Sequence, residues 1–223
     1  VTLTPIAHIR SEFPTKFGVP RQSGVVPELT ATVVFEPEYR VRDALRGLEG
    51  FSHLWLIWGF SGIRQETWSP TVRPPRLGGN ARLGVFATRS THRPNPLGLS
   101  AVEIATVAED AMLGPIIHVR GADLMDGTPI YDIKPYLPYA DSIPEATGGF
   151  AAAGKGSTLA VEDPKGLLAR LPVERREALA AVLALDPRPG YVRDPERVHG
   201  FLFAGFDVRF RVAEDVLTIV EID

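Results

Sequence analysis

Apolar and polar positions alternate in short runs along this chain, and most runs have the length and residue types of β-strands. "LTPIAHIRS" and "ELTATVVFEP" are rich in β-branched residues and stop at proline or turn residues. "SHLWLIWGF" is an apolar run of strand length, which predicts a buried strand, and Val85, Phe86 and Ala87 suit another. "LSAVEIATVAEDAMLGPIIHVRGADL" reads as two strands joined by a polar turn at Glu109 and Asp110. Near the end, Phe206, Val208, Phe210 and Val212 alternate with Asp207, Arg209 and Arg211, and "VLTIVEID" completes a hairpin. Two stretches have helical spacing instead. In "RVRDALRGLEGF" Val41, Leu45 and Leu48 fall on one side, with Gly50 able to end the helix. In "VERREALAAVLALDPRPG" Leu179, Val182 and Leu183 do so, stopped before Pro187.

No strand–helix–strand rhythm is present, which argues against a doubly wound sheet. Many short strands with Pro/Gly turns predict a mainly β protein whose N-terminal domain is an antiparallel β-barrel. The small residues of "EATGGFAAAGKGST" read as a linker or mobile loop. The expected organisation is therefore a barrel domain over 1–144, then a linker and a small α+β C-terminal domain over 145–223.

Composition narrows the chemistry. The 223 residues include no cysteine, which excludes disulfides, thiolate metal sites and cysteine nucleophiles. No apolar run approaches the roughly 20 residues that span a bilayer. The start, "VTLTPIAHIRSEF", lacks the pattern of a signal peptide, so a cytoplasmic location with no membrane partner is expected. The net charge of −3 speaks against an overall polyanion-binding surface, but it hides an uneven distribution. Between Gly62 and Val102 the basic residues are Arg64, Arg73, Arg76, Arg82, Arg89 and Arg93, against the single acid Glu66. Arginine is the side chain best shaped for bidentate contact with phosphate or carboxylate.

Several familiar motifs fail. Gly149, Gly154 and Lys155 have Walker A spacing, but Gly156 stands where that loop needs Ser or Thr. The histidines at 8, 53, 92, 118 and 199 make no H-x-x-x-H pair, so no metal is expected. No G-x-S-x-G elbow is present. Three rigid polar clusters remain: Pro20-Arg21-Gln22; Arg89, His92, Arg93 and Asn95; and Asp126-Gly127-Thr128-Pro129 followed by Asp132 and Lys134. Taken alone, Asp-Gly-Thr-Pro is usually just a turn, and His53 amid apolar neighbours is more often a satisfied core histidine. Arg89 directly after "VFAT" needs a partner for its charge. Asn95, between two prolines, has an extended backbone and an amide able to meet one edge of a base. These residues alone indicate a site for an anionic or nucleotide-like ligand.

"PTVRPPRLGGNARLGVFATRSTHRPNPLGLS", "DGTPIYDIKPYLPYADS" and "DPRPGY" resemble the TrmO (YaeB-like, TsaA-like) family of S-adenosylmethionine-dependent tRNA adenosine N6-methyltransferases. The resemblance implies a β-barrel methyltransferase without the Rossmann-like fold, working as a homodimer. Its substrate would be N6-threonylcarbamoyladenosine beside the anticodon of threonine-type tRNA. By the matching motifs, S-adenosyl-L-methionine contacts fall at Pro20, Arg21, Gln22, His53, Arg89, Leu99, Asp126, Gly127, Thr128 and Pro129. An acceptor is expected near the reacting N–H, with Asn95 or Asp132 the catalytic candidates, and Arg73, Arg76, Arg82, Arg93 and Lys134 the RNA footprint. His92 departs from the family's usual phenylalanine. Two alternatives stand beside this reading: a non-catalytic barrel binding an adenosine nucleotide or RNA, and a methyltransferase for another small acceptor.

Overall fold

Strands with one buried face organise the N-terminal part of the computed structural model, which describes residues 2–62, 68–74, 81–154, 158–188 and 194–223. In chain order they are β1 (Ala7–Arg10), β2 (Thr30–Phe35), β3 (His53–Gly59), β4 (Thr71–Val72), β5 (Leu83–Gly84), β6 (Leu97–Asp110), β7 (Gly114–Arg120) and β8 (Pro129–Pro135). β4 and β5 form a two-stranded ribbon of their own. The other six pair antiparallel in the order β1-β2-β7-β6-β3-β8, and β8 returns to pair with β1, so the sheet closes on itself. Closure leaves no edge strand to template aggregation. Ile9, Val33, Leu54, Leu56, Val102, Ile117, Val119 and Ile130 fill one core inside it.

A short helix, α1 (Pro138–Asp141), follows. The C-terminal part contains β9 (Ala160–Glu162), α2 (Val173–Ala184), β10 (His199–Phe203), β11 (Phe206–Ala213) and β12 (Val216–Ile222). Its sheet runs β10-β11-β12-β9, antiparallel except for the parallel β12–β9 pair. α2 buries Ala178, Leu179, Val182 and Leu183 against Phe203, Phe210 and Leu217 in a second core. The alternation in β11 is as the sequence predicts, with Val208, Phe210 and Val212 inward.

Two local expectations are corrected. "RVRDALRGLEGF" forms two separate 3₁₀ turns, Arg42–Leu45 and Leu48–Gly50, rather than one helix. Gly47 between them adopts φ 89°, which breaks a right-handed helix. Val85–Ala87 is also a 3₁₀ turn rather than a strand. The Thr88 hydroxyl and the Arg93 guanidinium both donate to the Val85 carbonyl, at 2.9 and 3.2 Å, and hold that turn. Val85 is buried, but Phe86 is 72% exposed.

The long connection 11–29 between β1 and β2 belongs to both parts. Phe13, Val26 and Leu29 are buried in the C-terminal core, and Phe13 packs edge-on against Phe203 at 5.4 Å. The Ala204 amide donates to the Glu12 carbonyl at 2.9 Å, and Arg175 of α2 pairs with Glu12 at 2.6 Å. Gly18, at φ 81°, lies against the Phe201 ring, where a Cβ would come within 2.4 Å. Backbone conformation and close contact together demand glycine there.

Candidate functional site

Beyond Gly18 the same connection turns back toward the closed sheet and lines a cleft of about 550 Å³. That is within the roughly 300–1,000 Å³ of small-molecule sites. Val19, Pro20, Arg21 and Gln22 form one wall; Thr88, Arg89, Thr91 and Arg93 form another. The sheet supplies Trp55 and Trp58 from β3, and Leu97, Gly98 and Leu99 from β6. The Trp58 indole lies against Gly98, where a Cβ would come within 2.3 Å of the ring. Only glycine lets that ring settle on β6.

Arg89, the charge that needed a partner, donates through Nη1 to the Gln22 Oε1 and joins the two walls. Arg21 acts electrostatically on Asp186, so the first wall is also tied to the C-terminal part. The cleft holds Lys16, Arg21, Arg89 and Arg93, and the acid facing them is Asp123. Burial pushes the Asp123 carboxyl above the usual carboxylate range, against hydrogen bonds from Ser100 and from backbone amides and against the positive charge of Arg89. The buried Trp58 Nε1–H donates to Ser100 Oγ at 2.9 Å, and Ser100 Oγ–H donates to Asp123 Oδ1 at 2.6 Å. Asp123 was not picked out from the sequence: it sits in "GADLMDG" with no local spacing signal, three residues before a more conspicuous aspartate.

Of the ten expected cofactor contacts, six line the cleft: Pro20, Arg21, Gln22, Arg89, Leu99 and Thr128. The rest of the Asp-Gly-Thr-Pro turn is engaged elsewhere. Asp126 Oδ1 accepts from the Ser11 amide at 3.0 Å, the Gly127 amide donates to the Ile9 carbonyl at 2.9 Å, and Pro129 begins β8. Thr128 Oγ1 donates to the Met125 carbonyl at 2.6 Å. His53 stands exposed at the start of β3, hydrogen-bonded to Ser52 at 2.9 Å, and does not line the cleft.

Asn95 is exposed in the loop entering β6, its carbonyl accepting from the Leu97 amide at 2.8 Å. Asp132 also lies off the cleft lining, ion-paired with Lys134 at 3.0 Å. Register nonetheless keeps that pair close. Asp132 is opposite Ile57, which is opposite Leu99, and Lys134 is opposite Trp55. Cross-strand neighbours share a face about 5 Å apart, so Lys134 stands beside the cleft-lining Trp55, while Ile57 separates Asp132 from Leu99.

The expected RNA contacts divide. Arg73 follows β4 and Arg82 precedes β5, so the β4–β5 ribbon, in which Val72 pairs with Leu83, carries both exposed cations side by side. Arg76 lies outside the described residues. Arg93 reaches over the Phe86 ring at 5.9 Å, and Phe86 stacks on Trp68 at 6.2 Å. Both rings are open to solvent, Trp68 at 49%. No cluster of His, Asp or Glu suited to a metal ion occurs among the described residues.

The geometry defines a class of molecule: a closed-sheet protein with an aromatic-lined cleft that holds both cations and a carboxylate, beside exposed rings and arginines. Comparison with known proteins makes the class specific. The tRNA-methyltransferase O N-terminal domain model matches residues 8–142, and the TrmO C-terminal domain model matches residues 160–223. A tRNA (adenine(37)-N6)-methyltransferase of Escherichia coli (strain K12) is 44% identical over 222 residues, 94% of this chain and 92% of that one. A putative S-adenosylmethionine-dependent methyltransferase, RcsF, of Pseudomonas aeruginosa is 38% identical over 99% of this chain and 97% of its own. The crystal structure of TrmO from Pseudomonas aeruginosa superposes with a TM-score of 0.78 at 33% identity, covering 100% of this chain and 98% of that one. The chain belongs to the tRNA-methyltransferase O family.

Proposed function

We propose that this protein is an S-adenosylmethionine-dependent tRNA methyltransferase that methylates N6 of threonylcarbamoyladenosine beside the anticodon. The observation that carries this reading is the convergence of Pro20, Arg21, Gln22, Arg89, Leu99 and Thr128 on one cleft. The family membership and the names of the Escherichia coli and Pseudomonas relatives support the reaction and the methyl donor. The closed antiparallel sheet supports a barrel methyltransferase unlike the doubly wound kind, working as a domain over 1–144 with a C-terminal unit over 145–223. A homodimer acting in the cytoplasm on threonine-type tRNA completes the proposal; among the described residues no helix is long and apolar enough to cross a membrane.

The cleft suits the donor chemically. Trp55, Trp58 and Leu99 offer apolar surface to an adenosine, while Arg89 offers a guanidinium to a carboxylate. When bound, the donor supplies an electrophilic methyl group on a sulfonium. The protein's part is to hold the acceptor nitrogen in line with it, because positioning accounts for much of such a displacement's acceleration. Asn95 and Asp132 are the candidates to accept the N–H proton's hydrogen bond, each from beside the cleft. The exposed Trp68 and Phe86 rings, with Arg93, Arg73 and Arg82, suit single-stranded RNA, whose bases stack on aromatic faces while arginines meet phosphates.

The deciding experiment incubates the protein with methyl-labelled S-adenosylmethionine and tRNA with or without the threonylcarbamoyl group. Label entering only the modified tRNA is the expected result. Label in neither, with the donor still bound, would leave a non-catalytic binding module.

A further inference from the structure

Two exposed rings beside the cleft each have a cation over them, and the two cations belong to different stretches of its lining. Arg93, which lines the cleft beyond Arg89, stands over the Phe86 ring at 5.9 Å. Lys16, which lines it ahead of Val19 and Pro20, stands over the Phe17 ring, its Nζ 5.8 Å from the centroid. Both distances fall within the roughly 6 Å over which a ring face attracts a cation. Phe17 is 52% exposed, so its ring is open to solvent as that of Phe86 is.

Phe17 is not outside for want of a core. Four residues before it, Phe13 is buried and packs edge-on against Phe203. Directly after it, Gly18 is pinned on the Phe201 ring, and Val19 packs against the same C-terminal core. The chain is thus anchored on both sides, and the aromatic side chain between the anchors points away from that core. A ring presented by anchored backbone costs a ligand less ordering entropy than one on a loose loop. Charge indicates which ligand: Lys16, Arg21, Arg89 and Arg93 line the cleft against one lining acid, Asp123, a balance suited to a phosphate backbone.

A base that is to be methylated cannot reach a cleft while stacked between its neighbours. Enzymes acting on a base draw it out of the stack, and each neighbour then loses one stacking partner. A protein ring replaces that partner whatever the sequence, because every base has a π-face. Two lost contacts call for two rings. We infer that Phe17, with Lys16, is a second base-stacking site, taking the nucleotide on the other side of the target adenosine from the one held at Phe86. This rests on the RNA reading above and deepens it. One unstacked base enters the cleft, its two neighbours lie on Phe17 and Phe86, and Lys16 and Arg93 meet the adjoining phosphates.

The test uses the full chain and an anticodon-arm RNA hairpin. The hairpin carries 2-aminopurine, whose fluorescence stacking quenches, on one or the other side of the target adenosine. Phe17→Ala is expected to weaken hairpin binding about 5- to 150-fold, the range for one lost stacked base. It should brighten one flanking probe in the complex, and Phe86→Ala should brighten the other. Phe17→Trp should keep the affinity and Phe17→Leu should lose it, because stacking needs a π-face rather than apolar bulk. S-adenosylhomocysteine binding, followed by calorimetry, should be unchanged in Phe17→Ala.

Full hairpin affinity in Phe17→Ala or Phe17→Leu would overturn the site, as would both alanine variants brightening the same probe. Equal losses of hairpin and S-adenosylhomocysteine affinity would overturn it too, by making Phe17 a support of the cleft. So would retained hairpin affinity with a shifted sedimentation coefficient, which would make Phe17 a contact between copies of the chain. Should Phe17→Ala fail to fold, the Phe17→Trp and Phe17→Leu pair decides. Wild-type protein that binds no hairpin would overturn the RNA reading itself, an outcome separate from the failure of the Phe17 variants alone to respond.

Discussion

Arg89 and Gly98 show what single residues do in this cleft. Arg89 is exposed and makes its side-chain bond to Gln22 alone among the hydrogen bonds described, so its removal should spare the fold. Arg89→Ala is expected to weaken S-adenosylmethionine binding about 10- to 100-fold, the range for a lost charge-assisted hydrogen bond, with an unchanged melting temperature. Calorimetry and a thermal melt of the same sample check both halves. Gly98→Ala should cost stability as well. Its methyl group would drive into the Trp58 indole, so overpacking is expected to cost about 1–3 kcal/mol of stability in denaturant unfolding. Displacing Trp58 also breaks its bond to Ser100, so donor binding should weaken with it.

Among the elements, strands were the most legible from sequence, because a buried face imposes a period of two that survives any context. β11 shows it directly, while β3, apolar throughout, was read from its length and alternates only in burial. Failures came where a local conformation or contact overruled the pattern. "RVRDALRGLEGF" has helical spacing, but Gly47 takes a left-handed conformation in its middle. "VFA" has strand composition, but side chains of Thr88 and Arg93 fold it into a turn and push Phe86 outward. Part of the cleft lining was legible for a related reason: rigid Pro/Gly loops announce themselves locally, whereas Asp123 joins the lining with no local signal, and its link to Ser100 and Trp58 forms only in the folded sheet. The outward Phe86 and its neighbour Trp68 leave two rings open to solvent beside the β4–β5 ribbon, the element proposed to meet RNA. Phe86→Ala is expected to cost tRNA affinity about 1–3 kcal/mol, the worth of one stacked base. Neutralising Arg73 and Arg82 together should lower the salt slope of tRNA binding by about 2, measured by filter binding across a salt series. On β10, burial and the charges of Arg197 and Arg188 hold His199 below the usual histidine range. Its Nε2 has no hydrogen-bond partner among the described residues. The folded state therefore prefers neutral His199. Stability is full above the unfolded pKa of about 6.5 and is lost as pH falls from there toward the lower folded value. His199→Phe, which keeps a ring against Phe210, should show a smaller drop in melting temperature between neutral and mildly acidic pH than the wild type.

At the scale of the whole molecule, two cores share one connection. Residues 11–29 bury Phe13, Val26 and Leu29 in the C-terminal core and present Pro20, Arg21 and Gln22 to the cleft. Phe13→Ala is expected to destabilise the C-terminal core by about 3–5 kcal/mol in denaturant unfolding, as for other buried phenylalanines, and to weaken donor binding although Phe13 does not line the cleft. Thermodynamic linkage makes the coupling reciprocal. Donor at about 100 times its Kd stabilises whatever must be folded for it to bind, by about 2.7 kcal/mol. The backbone amides of β10, β11 and β12 should then exchange with deuterium more slowly when the cleft is filled, although that sheet contributes no lining residue. A small molecule held in the cleft would thus be reported by the hydrogen exchange of a sheet that contributes none of its lining.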